Sequence, residues 1–246
     1  MKKFTWQILL GLILVLVSAI LYFLHFLIFK DAHHIFIYLL GDLAFLPIEV
    51  LLVTLIIDRV LSVREKRAML EKLNMVIGAF FSEVGLELID YFINFDSNAA
   101  KIKRDLSKIS NWSDKDFLKT SANVSKYNCD IDSKKGNLSS LKIFLSQRRS
   151  FLLRLLENPN LLEHESFTAL LWAVFHLTEE LEHRTDLNNL PDTDYNHISG
   201  DMKRAYLLVI IEWLAYIKHL KNNYPYLFSL ASRVNPFNDE ASPIVI

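Results

Sequence analysis

The sequence predicts an all-α protein: a two-helix transmembrane hairpin over residues 1–58, then a cytoplasmic helical bundle over 59–232. Three observations point there. Two long apolar runs fill the first 57 residues and account for much of the 52% hydrophobic composition and the mean hydropathy of +0.22. Six Gly and six Pro in 246 residues are few for sheets and tight turns. After residue 59, apolar side chains recur at helical spacing.

The first apolar run, Phe4 to Phe29, carries no formal charge. As a helix it would reach roughly 39 Å, more than the ~30 Å of a hydrocarbon core. It follows Lys2 and Lys3, as a signal peptide would, with Val17-Ser18-Ala19 resembling a cleavage site. The run continues well past Ala19, whereas a signal peptide's apolar region is ~7–15 residues, so it reads as uncleaved. The second run, Ile35 to Ile57, comes after only five residues, which forces antiparallel helices. Lys2, Lys3, Arg59, Arg64, Lys66, Arg67 and Lys72 flank the hairpin's ends, against Lys30 alone in its loop. That asymmetry places both ends of the hairpin on the cytoplasmic side.

Asp42 and Glu49 stand out inside the second run. An acid near the bilayer centre costs roughly 2.5–3.5 kcal/mol and normally meets a partner or a water-filled path. Seven residues apart, they share a helix face, about 10 Å from each other along the axis. Folding the hairpin about Ala32 puts Tyr22 and His25 near the level of Asp42, and Pro47 favours a kink between the acids. Two readings follow: a cation or proton path shared between copies of the chain, or acids that fix helix packing.

The second helix is expected to continue to Phe95, with Leu73, Ile77, Phe80, Val84, Leu88 and Tyr91 on one stripe. Ser113 and Asp116 have capping-box spacing. Residues near 121–140 are polar and read as a loop or poorly ordered insert. A helix over about 139–156 follows, ended by Asn158-Pro159-Asn160. Asn160 and Glu163 then suggest a cap for a helix to about Arg184. Asp194 is a plausible cap for the last long helix, 197–222, which is apolar enough to be the buried centre of a bundle. Residues 233–246 have two prolines and no periodicity, and read as a mobile tail.

The densest chemistry is on His176-Leu177-Thr178-Glu179-Glu180-Leu181-Glu182-His183. Glu180 and His183 have the Glu-x-x-His spacing of dimetal bundles, and His176 lies one turn before Glu180. His176, Glu179, Glu180 and His183 are therefore the candidate ligands for a divalent transition metal. A helical wheel turns His176 and His183 away from the apolar stripe of this helix, which favours an ordinary solvated face instead. His197 and Asp201 form another one-turn pair, able to join a site only if the bundle brings them close. Glu83, Glu87 and Glu212 lie among apolar neighbours, and are candidates for buried carboxylates that pair or stay protonated.

Several functions are excluded or left without support. Net charge is −1, so no basic field suggests a nucleic-acid partner. Cys129 is the only cysteine, which excludes an intramolecular disulfide and a Cys-rich zinc site. There is no phosphate loop, dinucleotide turn or nucleophile elbow. Two stretches, His33-His34-Ile35-Phe36-Ile37-Tyr38-Leu39-Leu40-Gly41-Asp42 and Glu71 to Gly85, resemble a family of uncharacterised prokaryotic membrane proteins with two N-terminal spans. The resemblance implies a multi-pass location in a prokaryotic inner (plasma) membrane, with N- and C-termini cytoplasmic as the charge asymmetry expects, and transfers no functional residue. The leading reading is a non-enzymatic homo-oligomer whose expected partners are the lipid bilayer, further copies of the chain and a regulated protein partner, and whose cytoplasmic domain is coupled to the hairpin. The alternatives are a membrane-tethered His/Glu metalloenzyme and a passive anchor for an interaction domain.

Overall fold

The computed structural model describes residues 2–245, with side chains described for all of these except 2–5, 7, 66–68, 70, 162 and 163. The chain divides into two compact units, Met1–Lys66 and Arg67–Ile246. The boundary falls inside a helix, a little beyond the residue-58 limit that the apolar pattern suggests.

The first unit contains helix α1, Lys2–Phe29, and the start of α2, Ala32–Phe80. Both are long and apolar enough to cross a membrane by length and composition. The turn between them is set by two residues. Lys30 adopts a left-handed backbone (φ 52°) and donates its N–H to Phe26 O at 2.8 Å, which closes α1. Asp31 Oδ1 accepts the N–H of His34 at 3.1 Å, which caps α2. The rings of His25 and His34 stack across this turn, with centroids 6.2 Å apart and planes within 6°. Elsewhere the described side chains of residues 6–65 are exposed, apart from half-buried Ile35.

The second unit is built of helices joined by irregular segments, with a single antiparallel bridge, Asp96 to Ile131, among the described residues. The expected continuous helix to Phe95 is interrupted: α2 ends at Phe80, a π-helical turn covers Phe81–Gly85, and α3 spans Leu86–Phe95. Gly85 permits that turn, because a Cβ there would sit 2.5 Å from the buried Phe81 ring. The ring has little freedom to yield, since it packs edge-on to Phe80 and stacks on Tyr216. Of the expected apolar stripe, Leu73, Ile77, Phe80, Val84 and Leu88 are buried and Tyr91 is half-buried.

Helices α4 (Ala99–Leu106) and α5 (Asp114–Val124) follow, and the Ser113–Asp116 capping box is present in full. Residues 125–137 are irregular but docked rather than loose. Tyr127 donates its hydroxyl to Asp96 Oδ2 at 2.7 Å, and Ser133 bonds to Tyr195 O and Ser199 Oγ. Helix α6 (Leu138–Leu156) is capped by Asn137. A 3₁₀ turn, Pro159–Glu163, leads into α7 (Glu165–Glu182), which His164 rather than Asn160 caps. Helix α8 (Asp192–Asn223) is the centre of the unit, packed by α3, α5, α7 and the final helix α9 (Pro225–Arg233). Burying apolar side chains such as Ile210 and Leu214 on α8 contributes roughly 1.5–3 kcal/mol each.

The segment after α9, expected to be mobile, is tied to the bundle, and two of its residues are buried. Phe237 is buried against Trp213, with ring centroids 5.1 Å apart. Asn235, also buried, donates its amide to the carbonyls of Leu106 and Ser107 at 2.8 and 3.2 Å. Those carbonyls end α4 and would otherwise lack partners inside the protein.

Candidate functional site

Helix α7 buries Phe167, Leu170, Leu171, Val174, Leu177 and Leu181, the stripe the sequence predicts. Two helices flank it, α6 on one side and α8 on the other. The solvated face that the wheel predicts is present at exposed His183, while His176, Glu179 and Glu180 are half-buried because the neighbouring helices border them. The four predicted ligands border one shallow surface depression, but their donor atoms part company. Glu179 turns to α6, where Arg149 Nη2 lies 3.6 Å from it and Arg149 Nε lies 3.2 Å from Glu182. His183 ends the helix, with its Nδ1 2.7 Å from Glu179 O. Neither joins a convergent site.

His176 and Glu180 turn instead to α8 and meet His197 and Asp201. Asp201 Oδ2 lies 3.4 Å from His176 Nε2 and 3.4 Å from His197 Nε2. On the other side, Glu180 Oε1 is 3.8 Å from His176 Nε2, and Glu180 Oε2 is 3.6 Å from His197 Nε2. Two imidazoles thus alternate with two carboxylates. The arrangement follows from helix geometry: each helix contributes a one-turn pair projecting from one face, and the two faces meet at the same level. Asp201 is only 4% exposed, and its Oδ2 accepts no hydrogen bond among the described residues. Oδ1 of the same carboxylate accepts from Arg204 at 3.2 Å.

Arg184 organises the outer edge. Its guanidinium donates to both oxygens of Asp194 and to Glu180 Oε2. These bonds hold the carboxyl groups of Glu180 and Asp194 below the usual carboxylate range. Asp194 is therefore an ion-pair partner in the first turn of α8 and not the cap that the sequence suggests; the helix begins two residues earlier. Neither Arg184 nor Arg204 has a local signature in the sequence that marks it for this role.

The carboxylates singled out among apolar neighbours separate. Glu212 is buried near Ser166 and His164, and burial pushes its carboxyl upward, only partly offset by those two residues. Glu83 and Glu87 are exposed, a correction to the sequence reading. The buried positions of this stretch are 81, 84, 85, 88, 89 and 92, which leaves 83 and 87 on the outer face. Cys129 is buried and its thiol is pushed up to about 11, chiefly by desolvation, so it is a poor nucleophile.

In the first unit, Asp42, Glu49 and Tyr22 are exposed, and the acids make no hydrogen bond or ion pair among the described residues. His25 is not at the level of Asp42. It pairs with His34, eight residues nearer the turn, because Lys30 and Asp31 set the reversal earlier than Ala32.

A family model described as the C-terminal helical domain of uncharacterized protein MJ1433 matches residues 69–233, and one for the N-terminal helical domain matches residues 2–61. The two matches bracket the boundary between the structural units. The chain is 49% identical over 237 residues to a Methanocaldococcus jannaschii protein described as "Uncharacterized protein MJ1433", covering 96% of this chain and 95% of the relative. No solved structure matches.

Proposed function

The chain belongs to the uncharacterised MJ1433 family, and from that premise we propose that it is a non-enzymatic integral protein of the plasma membrane, assembled from several copies. The hairpin holds the helical domain on the cytoplasmic side. The observation that supports this reading is the exposure of the apolar side chains along α1 and the first part of α2. Soluble monomers rarely expose contiguous apolar patches beyond a few hundred Å². A bilayer would cover this surface without further protein, and the placement of lysines and arginines at the hairpin's ends favours a cytoplasmic bundle.

Asp42 and Glu49 support assembly. Within one chain they meet no partner among the described residues, yet in hydrocarbon each would cost roughly 2.5–3.5 kcal/mol uncovered. The same helix of another copy is the simplest cover. Passage of a cation or proton along these acids is a finer version of the same idea, since two helices cannot enclose a path alone. Light scattering in mild detergent tests the reading. Wild type should be an oligomer that dissociates in the Asp42→Asn/Glu49→Gln double variant. A wild-type monomer ends the assembly reading, and a chain released from membranes by alkaline carbonate ends the membrane one.

A further inference from the structure

We infer that His176, His197 and Asp201 bind one divalent transition-metal ion between α7 and α8. One donor atom from each lies within 4.8 Å of the other two. The two edges that meet at Asp201 Oδ2 are both 3.4 Å. Ligands bound at ~2.0–2.1 Å around a tetrahedral ion are about 3.3 Å apart, so these edges already fit. As hydrogen bonds they are too long, because N–H···O bonds run at roughly 2.7–3.2 Å. Asp201 Oδ2 is accordingly buried, aimed between two imidazoles, and bonded to neither. A buried carboxylate oxygen left without a hydrogen bond is destabilising, and a cation between the rings would satisfy it.

Charge favours the same occupant. The cluster has three acids, Glu180, Asp194 and Asp201, against two guanidinium groups, Arg184 and Arg204. With neutral imidazoles that leaves one negative charge uncompensated. Two imidazoles and one carboxylate suit zinc, iron(II), cobalt(II) or nickel(II) better than calcium or magnesium, which prefer all-oxygen ligands. Outer partners are in place. Arg204 orients Asp201 through Oδ1, and Glu180, fixed by Arg184, stands beside both imidazoles. The side chains of His176 and His197 are 44% and 52% exposed, which gives the ion a route in and leaves a coordination position facing solvent. The site lies wholly within the Arg67–Ile246 unit, so metal binding and membrane insertion stand or fall separately.

The test is cobalt(II) titration of the full-length chain, purified in detergent and stripped with a chelator, read by calorimetry and by visible ligand-field absorption. Wild type should bind one ion per chain and develop a tetrahedral or five-coordinate spectrum. His176→Ala, His197→Ala and Asp201→Asn should each abolish that spectrum, and Glu180→Gln should weaken binding about 10–100-fold as an outer partner. His33→Ala/His34→Ala and His183→Ala should leave it intact. His197 is half exposed, so its variant should keep the helical circular-dichroism spectrum, which separates ligand loss from unfolding. No stoichiometric binding by wild type overturns the inference. So does binding that survives His197→Ala and Asp201→Asn.

Discussion

Arg184, just past the end of α7, grips Asp194 in the first turn of α8 through two parallel bonds, Nε to Oδ2 at 2.8 Å and Nη2 to Oδ1 at 2.6 Å. The same guanidinium reaches Glu180 Oε2 at 2.7 Å, so one side chain ties the helix–helix connection to the His/Asp cluster. Forked charge-assisted bonds of this kind are about twice as strong as neutral ones. Arg184→Met, which keeps much of the apolar stem, should destabilise the helical domain by about 1–3 kcal/mol, or a few degrees in Tm. The pH dependence has a definite sign. Glu180 and Asp194 are depressed by Arg184, so their contribution is full above the unfolded carboxylate pKa of about 4 and is lost as pH falls through the lower folded values. Thermal melts at pH 7 and pH 3 should show the variant's deficit at the first and a smaller one at the second. An equal deficit at both would mean that Arg184 acts through packing alone.

Glu212 predicts the opposite slope. Burial raises its carboxyl, so the folded state holds the proton more tightly than the unfolded chain does. The cost is absent below the unfolded pKa and grows as pH rises toward the folded one. Glu212→Gln keeps the shape and cannot ionise. It should raise Tm at pH 8, on the order of 2–4 °C for about 1 kcal/mol, and give no gain near pH 4. A loss at pH 8 would show that the carboxylate is ionised there and held by His164 and Ser166.

What the sequence reveals and what it hides follow one physical division. Local signals hold: the Ser113–Asp116 box, the apolar stripe of α7 and the two long apolar helices need only near neighbours in the chain. The π turn at Phe81–Gly85 does not announce itself, because the stripe reads as helical on either side and only the Phe81 ring against Gly85 shows the constraint. The site divides in the same way. His176 with Glu180, and His197 with Asp201, are visible as one-turn pairs in the sequence. Their meeting depends on the register between α7 and α8, set by non-local packing and by the Arg184–Asp194 fork. Glu179 and His183 share the same spacing signal but are drawn off by Arg149 and the end of α7.

Phe237 carries the last prediction. Segments rich in Pro and without periodicity are usually loose, but an aromatic ring needs only one pocket to be held, and no repeat is required for that. Here the ring is 1% exposed against Trp213, while Asn235 satisfies two carbonyls at the end of α4. Phe237→Ala should cost about 3–5 kcal/mol, as deletion of a buried aromatic ring usually does. Tyr226→Ala, at a side chain 72% exposed on α9, should stay within about 0.5 kcal/mol of wild type. Thermal melts of the two variants decide the matter: equal Tm values would return residues 233–246 to the mobile tail that their composition suggests, and a drop confined to Phe237→Ala would make them part of the core.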